Sequence, residues 1–329
     1  MDMRRKLLMV LGGALVSPVR LFAQQPPRKV HRIGFLGLAS ASSSASRPRV
    51  GAFQGALRDL GYVEGENIET EFRWAEWKYD RLPELARELV ALKVDVLVTY
   101  GTSGARAAML ATATIPIVVA AAGDAVGTDL ASSRARAGRN VTGSMVFSAE
   151  LYSKRINLLK ESFPRAKRAA VLLNQANPAN GLTLHAVGLA AKPLQLELQR
   201  FEVRDPKELP SAFVAMSKSR IDALAIPEDA MLTANAEAIA DLAAAHRLPS
   251  IGSTEFAEAG GLMGYGVNLV ELYRRAAYFV GRILKGAKPG YIPIEHVTKF
   301  ELVINRKTER TLGLSMPQSL LLRADDVIK

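Results

Sequence analysis

The 329 residues are 49% hydrophobic and 23% charged, with a formal net charge of +11 and no cysteine. That length and apolar content support full cores in two domains and exclude an intrinsically disordered chain. Without cysteine there is no disulfide, thiolate metal site, iron–sulfur cluster or cysteine nucleophile, and His31, His185, His246 and His296 are too far apart for a zinc helix or finger.

Residues 1–23 read as a secretory signal peptide: Arg4, Arg5 and Lys6, then the uncharged run LLMVLGGALV, then a polar stretch ending at Ala23. The run has about half of the ~20 residues a membrane-spanning helix needs. The Arg4-Arg5 pair admits twin-arginine as well as Sec export, and the mature chain is expected to be exported. Loss of four basic groups and one acidic group lowers the net charge from +11 to +8. The remaining basic residues are scattered, so no nucleic-acid partner is expected. A basic surface also attracts anionic solutes.

The mature chain alternates strand and helix. Residues 30–38 read as a buried strand, 50–60 as a helix ending at Gly61, 67–74 as a strand and 79–92 as an amphipathic helix. Strands at 94–99 and 115–120 follow, with Gly101-Thr102-Ser103-Gly104 opening the helix between them. Strand patterns recur at 168–173, 194–203, 221–226 and 248–251, with a helix at 233–245, at an offset of about 130 residues that reads as a duplicated architecture. A helix at 269–285 and a strand at 297–304 complete the chain. The fold class is α/β, with two similar lobes, each a parallel sheet with helices on both faces. The expected division is 28–143 plus 264–296 for lobe 1 and 144–263 plus 297–329 for lobe 2.

Ligands of open parallel sheets bind beyond the carboxyl ends of the strands. The Thr102–Ser103 loop is the best local candidate: free N–H groups and the helix dipole favour a carboxylate there, and the same hydroxyls also serve as ordinary caps. It is neither a P-loop nor a nucleophile elbow, since no Gly-Lys-Ser/Thr follows and position 105 is alanine. Asp124 and Asp229 lie in strand-end loops where either could accept from a ligand ammonium, although turns use aspartate for local reasons too. Asn174 and Asn177 offer amides at the same edge, in an Asn-Pro turn context. Trp74, Trp77 and Tyr79 form the densest aromatic cluster, and Tyr265 sits in the return segment between lobes.

A set of segments carries a family resemblance: RIGFL (32–36), FQGALRDLGYVEGENI (53–68), RWAEWKYDRLPELARELV (73–90), IPIVVAAAGDAVGTDL (115–130), GRNVTG (138–143), EFAEAGGLMGYG (255–266), LYRRAA (272–277), ILKGAKP (283–289) and TKFELVIN (298–305), after a leader ending in AQQ (23–25). In this order they resemble the ABC-transporter substrate-binding proteins of the group that includes tryptophan-binding members. The chain departs from the family pattern at Ala125, where proline usually follows the aspartate, and at Trp77. The resemblance implies a type 1 periplasmic-binding fold with three hinge crossings and a ligand in the inter-lobe cleft. By similarity the ligand loops hold Ser40, Ser42, Thr102, Ser103, Asp124, Asn174, Asn177, Asp229 and Tyr265, and Trp74 joins them as an aromatic wall.

The expected function is therefore the periplasmic solute-binding subunit of an ABC importer, for an amino acid or a carboxylate-bearing solute, aromatic ones included. Its partners are that solute and an inner-membrane permease, and it is expected to act as a monomer without catalytic residues, metal or cofactor. A sensory binding protein of the same fold remains open. A secreted α/β enzyme would need a nucleophile with a base in reach, or a metal, and the scarcity of histidine weighs against it. A two-lobe transcription regulator would begin with a helix-turn-helix where this chain has a leader.

Overall fold

In the first half of the chain, β1 (His31–Gly37), β2 (Ile68–Trp74), β3 (Val96–Thr99) and β4 (Ile117–Ala122) alternate with α1 (Ser46–Asp59), α2 (Leu82–Ala91) and α3 (Gly101–Ala111). The computed structural model describes residues 29–43, 46–123, 140–146 and 148–329; the expected leader and Asp124 lie outside the described residues. β3 and β4 are buried along their whole length, as strands covered on both faces must be. β5 (Val141–Val146) joins them, and β11 (Glu295–Val297) returns from far along the chain to close the edge. The first sheet runs β11-β5-β4-β3-β1-β2 and is parallel throughout.

β5 has no apolar signature because its centre is Thr142-Gly143-Ser144, all buried. Gly143 has φ +140°, and a Cβ there would lie 2.0 Å from the Val119 carbonyl oxygen, so the close approach of β5 to β4 requires glycine. Thr142 Oγ1 donates to the Ile292 carbonyl at 3.0 Å, which satisfies the buried hydroxyl.

The second sheet is built from β6 (Arg168–Asn174), β7 (Glu197–Val203), β8 (Ala223–Ala225), β9 (Ser250–Gly252), β10 (Met263–Gly266), β12 (Glu301–Asn305) and β13 (Asp326–Ile328), in the order β13-β12-β10-β9-β8-β6-β7. Its helices are α4 (Ser148–Ser162), α5 (Asn180–Ala191), α6 (Leu209–Lys218), α7 (Ala230–Ala234), α8 (Ala236–Ala245) and α9 (Thr254–Glu258), with α11 (Arg306–Thr311) and α12 (Gln318–Leu321) near the end. The helix expected over 233–245 is broken at Asn235, which caps α7 and starts α8.

Each sheet is covered on both faces. In the first, α1 and α10 (Leu269–Leu284) share a core of Phe53, Leu57, Tyr273, Ala277 and Val280 with one face, while α2 and α3 place Leu85, Leu89, Ala105 and Ala108 on the other. In the second, α4 and α5 pack one face through Ile156, Leu159 and Val187, and α6 and α8 the other through Phe213, Met216 and Ile239. Side chains such as Phe53 and Phe213, fully buried, each contribute about 1.5–3 kcal/mol by removal from water.

The chain passes between the sheets after β5, after β10 and after β11. β5 and β10 both leave from their carboxyl ends, so the chain re-enters the second sheet on the same side after β11. β12 must then run against β10, and among the described residues that pair is the one antiparallel junction in the second sheet. The crossings shift the expected lobe limits slightly. Residues 144–146 and Val297 pair in the first sheet, and residues 264–266 pair in the second.

Candidate functional site

The carboxyl ends of both sheets face one cavity, lined from the first lobe by Tyr79, Tyr100, Thr102 and Ser103 and from the second by Tyr152, Asn177, Glu228 and Asp229. Apolar side chains, among them Leu38, Leu151, Leu182 and Leu269, fill the rest of its wall.

The first polar feature is the amino end of α3. β3 ends at Thr99, Tyr100 stays extended, and Gly101 turns the chain with φ +75°. Thr99 Oγ1 donates to the Leu36 carbonyl at 3.0 Å, and a Cβ on Gly104 would lie 2.3 Å from that hydroxyl oxygen, so the helix sits tightly on the strand end. The residue before the helix is a tyrosine and gives no side-chain cap. The first N–H groups of this 11-residue helix, at Thr102 and Ser103, are thus left to the cavity that both residues line.

The second feature is the Glu228–Asp229 turn after β8. Asp229 caps α7, accepting from the Met231 and Leu232 N–H groups at 2.8 and 3.0 Å. It also accepts from Asn174 Nδ2 at 3.2 Å, Asn177 Nδ2 at 3.0 Å and the Tyr79 hydroxyl at 3.2 Å. Burial pushes its carboxyl above the usual range although these donors pull it down. A carboxylate has about four lone-pair sites, and five protein donors occupy them. Asp229 therefore organises the cavity wall and has no acceptor to spare for a ligand ammonium. The Tyr79 bond is also a contact between lobes.

Glu228 differs. Its carboxylate is held by Arg155 Nη2, while Arg155 Nε donates to the Tyr265 carbonyl at 2.7 Å and Nη1 to the Ile226 carbonyl at 2.9 Å. Arg155 is 2% exposed and Glu228 23% exposed on the cavity side of the pair. A buried cation thus fixes a partly open carboxylate at the mouth of the second sheet.

Of the residues expected from the sequence, Thr102, Ser103, Asn177 and Asp229 line this cavity, and Asn174 supports it through Asp229. Ser40 and Ser42 do not line it; their hydroxyls bond each other at 3.0 Å on the surface. Trp74 stacks on Phe72, 5.8 Å away and 2° from parallel, and lines a smaller adjoining cavity. Tyr265 is not among the lining residues: its ring stacks on Phe300 at 5.7 Å, and its contribution is the carbonyl that receives Arg155. Asp124 lies outside the described residues. Sequence reading missed Glu228, Arg155, Tyr100 and Tyr152. The signal for Arg155 was present, since it sits among Leu151, Tyr152, Ile156 and Leu159 on the inward stripe of α4.

Burial drives the cavity tyrosines upward. Tyr79 and Tyr100 are pushed well above 10.0, with Asp229 and Glu228 adding to burial, and Tyr152 is pushed up to about 12 by burial and Glu228. A raised folded value gives stability that is full below pH 10.0 and lost as pH rises through the folded values. Denaturant unfolding followed from neutral pH upward is expected to show a level midpoint up to that point and a decline toward pH 12. Tyrosinate absorbance should rise with the loss of structure. Ionisation of all eight tyrosines near pH 10.0 at unchanged stability would contradict this burial.

Among the described residues there is no group of His, Asp and Glu that could hold a metal, and no helix long and apolar enough to cross a membrane.

The family described as ABC transporter substrate binding protein matches residues 40–328. A tyrosine-binding protein of Clostridioides difficile is 27% identical over 260 residues, 79% of this chain and 74% of that one. A conserved domain protein of Vibrio cholerae superposes with a TM-score of 0.84 at 26% identity, over 91% of this chain and 100% of that one. An ABC domain from Streptococcus pneumonia, solved in complex with L-Trp, superposes with a TM-score of 0.82 at 24% identity and the same coverage.

Proposed function

The chain belongs to the ABC transporter substrate-binding protein family, and on that premise we propose that it is the periplasmic solute-binding subunit of an importer whose ligand is an α-amino acid with a large, aromatic side chain. The ligand lies in the inter-lobe cavity. Its carboxylate takes the free N–H groups of α3 with the Thr102 and Ser103 hydroxyls. Its ammonium takes Glu228, which Arg155 holds in place. Tyr79, Tyr100 and Tyr152 enclose the side chain.

The observation that carries this reading is an uncapped helix terminus from one lobe and an arginine-held carboxylate from the other in the lining of one cavity. These are the two complements a zwitterion needs. The tyrosine-binding relative and the L-Trp-bound neighbour support an aromatic amino acid. Binding closes the lobes, with Tyr79 of one reaching Asp229 of the other, and the closed form delivers the solute to a membrane permease.

The test is a thermal-shift series on the mature chain with L-tyrosine, L-tryptophan and their deaminated and decarboxylated analogues. A ligand at 100 times its Kd adds about 2.7 kcal/mol, or roughly 5–10 °C for lobes of this size. The amino acids should stabilise and each analogue should stabilise less. Stabilisation by none of them would remove aromatic amino acids as the ligand class.

A further inference from the structure

The cavity adjoins a second, smaller one of about 20 Å³, and the two share Leu38, Tyr100 and Ala230 in their walls. That volume holds about one water-sized group. Among the described residues its one cation is Arg49, on the inward face of α1 four residues before Phe53 and eight before Leu57. The Arg49 side chain is 9% exposed, and Nη2 donates to Glu255 Oε1 of the other lobe at 3.3 Å. Among the described residues no acceptor meets Nε or Nη1. The guanidinium carbon lies 5.8 Å from the centre of the Tyr100 ring, the ring shared by both cavities. Burial alone would lower the guanidinium pKa, but Glu255 and the neighbouring tyrosines lift it, so it stays charged.

Nε and Nη1 are not sealed from solvent, since among the described residues only His31 Nδ1 is a buried side-chain atom without a partner; Arg49 lines the small cavity, and an oxygen placed there would meet these unspent donors. Two facts limit which kind. The space admits one small group rather than a carboxylate. The charges already balance, Arg49 with Glu255 and Arg155 with Glu228, so an added anion would stand uncompensated. We propose that Arg49 donates to a neutral oxygen at the far end of the ligand side chain, and that the ligand is an amino acid ending in a hydroxyl or carbonyl rather than a bare hydrocarbon ring. This rests on the amino-acid reading above and adds the residue that sets specificity within it.

Calorimetric titration of the mature protein with L-tyrosine and L-phenylalanine tests it, because the two differ by one hydroxyl. Phenylalanine should bind at least about tenfold more weakly, as sites built around a hydroxyl reject the analogue that lacks it. In Arg49→Met the ratio of the two Kd values should fall to near one. In Glu255→Gln, which breaks the inter-lobe pair and keeps Arg49, both affinities should weaken together with the ratio kept. A purely structural role for Arg49 would move both affinities and leave the ratio intact in each variant. Equal Kd values in the wild type, or a ratio that survives in folded Arg49→Met, overturn the proposal and leave the amino-acid reading standing. Binding of neither ligand overturns the proposal, and L-tryptophan in the same titration then decides whether the amino-acid reading stands.

Discussion

Glu228→Gln is expected to weaken binding of the amino-acid ligand by about 2–4 kcal/mol, roughly 30- to 700-fold in Kd, because the ligand ammonium is left buried beside a neutral amide. Deamination of the ligand removes the same interaction from the other side. The deaminated analogue should therefore bind wild type and Glu228→Gln with similar affinity. Calorimetry on the four combinations gives the coupling directly. An amino-acid affinity unchanged by Glu228→Gln would remove Glu228 as the ammonium partner. Asp229 would not replace it, since its oxygens already receive two backbone N–H groups, two asparagine amides and the Tyr79 hydroxyl.

Arg155→Met should have the largest effect on stability. Arg155 is among the largest fully buried side chains of the chain, and it joins α4 to the ends of β8 and β10 through Ile226, Tyr265 and Glu228. Its removal orphans two carbonyls and leaves Glu228 without its cation. Breaking such a pair costs about 3–5 kcal/mol, or roughly 6–20 °C in Tm. Adding Glu228→Gln removes the uncompensated charge, so the double variant should melt above Arg155→Met alone. Calorimetric melting of the three variants checks this. Equal Tm values for Arg155→Met and wild type would contradict the bracing role, and strict additivity would contradict the coupling.

The sheet strands were legible where burial on both faces leaves an uninterrupted apolar run, as in β3 and β4. β5 was not, because its buried centre is made of threonine, glycine and serine chosen for close approach to Val119 rather than for hydrophobicity. The apolar stretch at 297–304 reads as one strand and is two, in different sheets, because the chain crosses between lobes there; Lys299, 84% exposed, marks the crossing.

The site was legible in part. The strand–glycine–helix junction was readable from local sequence as a candidate anion cradle, and Thr102 and Ser103 line the cavity. The position of Asp229 was legible too, but its role was not, since that depends on donors 52 to 150 residues away. Tyr79 and Trp77 looked like lobe-edge aromatics. Glu76 and Trp77 both adopt positive φ, 51° and 67°, and the segment lets Trp77 pack on the core of the other lobe while Tyr79 reaches Asp229. Arg49 and Arg155 carried a readable signal: a charge on an apolar helical stripe must find a partner inside.

The most direct measurement is a crystal structure of the mature protein with the tightest-binding aromatic amino acid. The ligand carboxylate is expected against the N–H groups of Thr102 and Ser103 and the ammonium against Glu228, with Tyr79 still bonded to Asp229 across the closed cleft. A ligand held outside the inter-lobe cavity, or turned with its carboxylate toward Glu228, would contradict this placement.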